Sequence, residues 1–261
     1  MTSAGFKGAG RPIRWPHLRS APRLVVDRVI SLGGLCEAAF QARRLSRSDR
    51  AYLFDWWITP LPAVSVALDE GAESLFAPEH LVKVPDYGGK PALYSRLSRT
   101  VHLHEYAKTV DFLALDVETI AATLQEKYAA LQARLLADCA IGTTLFVRQR
   151  LNGHDPTGQD LADPIERLCA QLSDIAIDHR LLLLDYEPVR PSERLIQAQA
   201  PRLRDANDLG SRSGWNALFR THAIECRRSG TRFSYEDLQA SFCYERPIRH
   251  QTSRNPTARR K

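Results

Sequence analysis

Cys36 is the residue whose type and setting most suggest a nucleophile. It sits between Ser31-Leu32-Gly33-Gly34-Leu35 and Glu37-Ala38-Ala39-Phe40-Gln41. Upstream, Leu24, Val25, Val26, Val29 and Ile30 predict a buried strand, interrupted by Asp27 and Arg28. Ser31 to Gly34 reads as a turn, since two adjacent glycines adopt backbone angles closed to other residues. A helical pattern then begins at Cys36, with Leu35, Ala38, Ala39, Ala42 and Leu45 on one face and Arg43 and Arg44 outward. A thiol in the first turn of a helix meets unpaired backbone N–H groups and the positive end of the helix dipole. Both lower its pKa and favour a thiolate nucleophile, and the same N–H groups could hold an oxyanion. A second role stays open, because a cysteine after a glycine turn also serves as a small buried packing residue.

Three other places carry residues that could assist. In Val101-His102-Leu103-His104-Glu105-Tyr106, alternation puts both histidines on one face of a strand. No third ligand is evident nearby, so neither a metal site nor a cofactor is expected. Asp55 lies among Phe54, Trp56 and Trp57, where a buried carboxylate needs a partner; it is equally open as a turn or helix-capping acid. Arg148 ends an apolar strand and could grip an anionic substrate or pair with a carboxylate.

The elements that must position these groups alternate. Ala51 to Pro60 reads as an aromatic strand, Ala63 to Phe76 as a helix, Leu81 to Val84 as a short strand and 86–91 as a loop. Leu93 to Tyr106 reads as extended. Val117 to Cys139 is the clearest helix, with Val117, Ile120, Leu124, Tyr128, Leu131 and Leu135 along one side. Thr143 to Arg148 predicts a strand, Asp163 to Ile175 a helix capped by Asp163, and Arg180 to Tyr186 a central parallel strand. Glu193 to Gln199 suggests a short helix, and Trp215 begins another. The expected fold is α/β, a mostly parallel sheet with helices on both faces.

Composition bounds the rest. The chain has 261 residues, 44% hydrophobic and 25% charged, as in ordinary globular proteins, with no apolar run long enough to span a membrane. The net charge of +6 is concentrated at the ends: eleven of the 36 basic residues lie in 1–23 and 246–261, which hold no acidic ones. That leaves 25 basic against 30 acidic residues in 24–245, a net of −5. The division expected is a basic disordered tail over 1–23, a single α/β domain over 24–245, and a second basic disordered tail over 246–261. No sequence-specific nucleic-acid motif is present. The five cysteines are scattered without a CxxC pair, which argues against structural zinc or a disulfide framework and fits a cytoplasmic location.

Taken together, several segments resemble the bacterial family of papain-like cysteine peptidases, a largely uncharacterised group. They are Ser31-Leu32-Gly33 with Cys36, Ala39, Gln41, Arg43 and Arg44; Phe54-Asp55-Trp56 with Thr59-Pro60; His104-Glu105-Tyr106; Lys127-Tyr128; and Phe146-Val147-Arg148. The family usually has His-Asp-Phe where this chain has His104-Glu105-Tyr106. The resemblance implies Cys36 as nucleophile and His104 as base, with His102 as the competing histidine. Asp55 is our choice for the acid orienting the imidazole. Gly33, Gly34, Trp56, His102 and Arg148 are the expected substrate-binding residues. The expected activity is that of a cysteine peptidase or a related thiol hydrolase or acyltransferase, acting on a peptide, acyl or glycan-type substrate. The alternative is a carbohydrate or sugar-phosphate module built on Trp56, Trp57 and Arg148 without thiol catalysis.

Overall fold

The structure is a computed structural model that describes residues 23–106, 110–201, 209–227 and 233–242. Apart from Arg23, both expected basic tails lie outside the described residues. The described residues begin with two short strands, β1 (Leu24–Val26) and β2 (Arg28–Ser31), separated by Asp27 alone. The Asp27 carboxylate accepts from the Thr143 N–H at 2.7 Å and pairs with Arg227 at 2.8 Å. Helix α1 (Cys36–Ser46) follows, then β3 (Trp57–Ile58), α2 (Leu61–Asp69), α3 (Ala72–Leu75), β4 (Leu81–Val84), β5 (Ala92–Ser95) and β6 (Thr100–His102). The second half runs α4 (Val117–Cys139), β7 (Thr143–Gln149), α5 (Ala162–Ile175), β8 (Asp178–Leu184), β9 (Leu195–Ala198), α6 (Arg212–Thr221), β10 (Ile224–Cys226) and α7 (Tyr235–Phe242).

These strands make a parallel sheet in the order β2-β7-β8-β9, a parallel pair β1-β10, and an antiparallel sheet in the order β3-β6-β5-β4. The parallel sheet is buried on both faces. Along β8, Leu181 and Leu183 join the core shared with α4 and α5, while Leu182 and Leu184 join Trp215, Leu218 and Phe219 of α6. That double burial explains why the strand is apolar throughout.

The antiparallel sheet corrects the mostly parallel fold expected. It lies between α1 and α4 in the chain, where the aromatic run was read as one strand. Residues 53–56 form a turn instead, leaving only Trp57–Ile58 to pair with β6. The helix expected over Ala63–Phe76 divides at Glu70-Gly71 into α2 and α3. Glu193–Gln199, expected as helix, contains β9, because Leu195 to Ala198 extend the sheet beside Leu181 to Leu184. Asp163 does not cap α5; the cap position is Leu161, two residues earlier, and the helix starts at Ala162.

Candidate active site

Cys36 is the first residue of α1, as the turn pattern predicts. Leu35 before it is extended, and no side chain caps the helix start. The Gly33–Gly34 turn that delivers it has φ of +76° and +94°. A Cβ on Gly33 would come within 2.8 Å of Thr59 Oγ1, and one on Gly34 would overlap the Gln149 carbonyl oxygen. Both glycines are buried, and the Gly33 N–H donates to Ser31 Oγ at 3.0 Å. Their packing against Thr59 and Gln149 fixes the shape of the turn.

His104 reaches the same point from the antiparallel sheet. Strand β6 ends at His102, and 103–106 bend away from it. The two histidines therefore do not share a strand face. His104 Nε2 lies 3.5 Å from Cys36 Sγ, and its ring rests on buried Trp56 with centroids 5.7 Å apart. His102 points into the core. Its Nε2 is 2.8 Å from Thr100 Oγ1, its Nδ1 3.3 Å from Glu105 Oε1, and its ring packs edge-on against Trp57 and Phe76.

Asp55 is held on another side. Its carboxylate accepts from the Tyr52 N–H at 3.1 Å and faces Arg43 Nη1 at 3.9 Å. These contacts give it no bond to the His104 ring, so the orienting role expected of it lacks support. Burial raises its pKa to about 6, against the pull of Arg43. Arg43 and Arg44 were expected outward and are both buried. Arg43 donates to the Asp49 carbonyl; Arg44 donates to Gln41 at 2.6 Å and to Asn216 at 3.0 Å.

Arg148 is buried as well. It donates to both oxygens of Asp155, to Tyr186 Oη at 2.9 Å and to the Leu32 carbonyl at 3.1 Å. Asp155 also accepts from the N–H groups of Leu61, at the start of α2, and Leu151. With Asp155, the guanidinium thus ties the Cys36 turn to β7, to Tyr186 just past β8 and to the start of α2. Of the two roles open to Arg148, the carboxylate pair is the one seen here. Trp56 and Trp57 are 7% and 1% exposed, so neither indole offers the stacking face a sugar would need.

The ionisation of the pair differs from expectation. Burial pushes the Cys36 thiol up to about 11, with the Asp55 charge adding to it; the Cys36 N–H and Lys90 act against this without offsetting it. Burial pulls the His104 imidazole down to about 4, opposed by Glu105 and reinforced by Lys90 and Lys127. Burial thus favours a neutral thiol beside a neutral imidazole, against the thiolate that a helix start alone suggests.

The main residue missed from the sequence is Glu105. Its side chain is 1% exposed and bonded to His102, to Lys127 Nζ at 2.6 Å and to Tyr128 Oη. Burial would raise its pKa, but Lys127 and His102 hold it well below the usual carboxylate range. The signal was present, since Glu105 and Lys127-Tyr128 stand in separate segments of the resemblance. Asp155 and Tyr186 carried no such signal.

Over residues 27–168 the chain matches the family model described as "Putative papain-like cysteine peptidase (DUF1796)". The chain belongs to this family. The matched stretch covers more than half of the sequence, from the break between β1 and β2 into α5, and includes Cys36, His104, Glu105, Arg148 and Asp155. Neither the curated proteins nor the solved structures give a match. Among the described residues, no helix is long and apolar enough to cross a membrane, and no group of three or more His, Cys, Asp or Glu is arranged to hold a metal ion.

Proposed function

We propose that this chain is a thiol-dependent hydrolase or acyltransferase of the peptidase kind, with Cys36 as nucleophile and His104 as general base. The observation that carries this reading is the 3.5 Å approach of Cys36 Sγ, at the start of α1, to His104 Nε2, in the bend after β6. A neutral pair acts by proton transfer during attack. His104 Nε2, unprotonated when the proton resides on Nδ1, takes the Cys36 proton as sulfur bonds to the substrate carbonyl carbon. The carbonyl electrons move onto oxygen, which faces the N–H groups at the uncapped start of α1. The imidazolium then protonates the leaving group as the C–N or C–O bond breaks, giving a thioester on Cys36. Water hydrolyses that thioester, or another nucleophile accepts the acyl group, with His104 again as base.

Turnover of a panel of peptides, thioesters and activated esters tests this reading. Wild type should convert at least one class, and Cys36→Ala should convert none. Equal turnover by Cys36→Ala would refute the assignment. The carbohydrate reading finds no comparable support, because its aromatic platform is buried.

A further inference from the structure

We infer that Glu105 is a positioning residue for His104: its buried carboxylate, bonded to His102, Lys127 and Tyr128, fixes the bend that carries the imidazole to Cys36 and keeps a negative charge beside it. The inference rests on the Cys36–His104 reading above. Strand pairing of β6 stops at His102, so the backbone ladder no longer holds the next residues. Glu105 restores that hold through side chains. It anchors the bend to the end of its own strand through His102 and to the middle of α4 through Lys127 and Tyr128. With Glu105 fixed inward, its neighbour His104 is left against Trp56 and Cys36.

The charge has its own role. Moving the Cys36 proton to His104 creates an imidazolium in a half-buried site. Cys36 of α1 and Trp56 touch that ring, and the charges of Glu105, Lys90 of the 86–91 loop and Lys127 of α4 act on it. Asp55 acts on the Cys36 side, and both lysines disfavour the imidazolium. Glu105 is the anion adjoining it in the chain, and Lys127 neutralises it only in part because that ammonium reaches solvent.

The test is an NMR titration of the His104 imidazole in wild type, Glu105→Gln and Lys127→Met, with the rate of Cys36 acylation by an activated ester measured alongside. Glu105→Gln should move the His104 midpoint to lower pH and slow acylation by about 10- to 100-fold. Lys127→Met should move the midpoint to higher pH. Glu105→Asp, which keeps the carboxylate, should restore most of the acylation rate. An unmoved midpoint in Glu105→Gln, or in Lys127→Met where Glu105→Gln does not fold, would overturn the inference. Failure of wild type to acylate at Cys36 would instead refute the proposed function, while the titration would still decide the coupling.

Discussion

Arg148 Nη2 donates to both carboxylate oxygens of Asp155, at 3.0 and 2.9 Å, and neither side chain is reached by solvent. Removing one partner of such a pair strands the other charge in the core. Arg148→Met should therefore cost about 3–5 kcal/mol of stability. Tyr186→Phe, which deletes a hydroxyl bonded to both, should cost about 1–2 kcal/mol. Urea unfolding measures each. A stable Arg148→Met protein with weakened substrate affinity would return Arg148 to the binding site.

The glycine turn makes a second prediction. Gly34 and Gly88 both have positive φ, but a Cβ at Gly34 meets the Gln149 carbonyl while one at Gly88 meets nothing. Gly34→Ala should destabilise by about 2 kcal/mol or more and reduce any Cys36 chemistry. Gly88→Ala should cost about 1 kcal/mol, from backbone strain alone. Equal effects of the two would mean that the turn does not press on β7.

The histidines separate by their surroundings. His102 is locked among Trp57, Phe76 and Glu105, so His102→Ala should cost about 2–4 kcal/mol. His104→Ala should stay within about 1 kcal/mol at pH 7 yet lose acyl chemistry. Thermal melts and acylation rates of the two variants check this. The reverse pattern would exchange their roles.

Stability should report the imidazole's low pKa. An unfolded histidine binds its proton near pH 6.5, whereas folded His104 resists it down to about 4. Wild type therefore loses stability from this group as pH falls between those values. His104→Gln escapes that loss, so relative to wild type it should gain about 2–3 kcal/mol between pH 7 and pH 4.5. Asp55, with its pKa raised to about 6, works the other way, its stabilising contribution being lost as pH rises. It is common to both proteins and cancels in the comparison. Urea titrations at the two pH values give the difference, and a constant one would contradict a depressed His104.

What the sequence disclosed depends on the length and locality of each signal. Val117–Cys139 is readable to the residue because its apolar stripe is long and unbroken. Cys36 at a helix start is readable because the glycines and the small residues after it are adjacent. The antiparallel sheet is not, since β3 has two residues and β6 three, too short for alternation to show. β9 is a strand only because β8 lies beside it. The bonds that give Glu105 and Asp155 their roles are not legible for a related reason. Some of their partners lie far along the chain, 22 and 23 residues away for Lys127 and Tyr128 and 31 away for Tyr186, and only the fold brings these together.

The central claim is that His104 activates Cys36 for attack on a carbonyl. Intact-mass and peptide-mapping spectrometry of the protein treated with an activated acyl ester at pH 7 tests it most directly. Wild type should carry one acyl group, on Cys36, with none on Cys139, Cys169, Cys226 or Cys243. Cys36→Ala should remain unmodified, and His104→Ala should acylate about 10²- to 10⁴-fold more slowly. Acylation of His104→Ala at the wild-type rate, or of the other cysteines as readily as Cys36, would contradict the account.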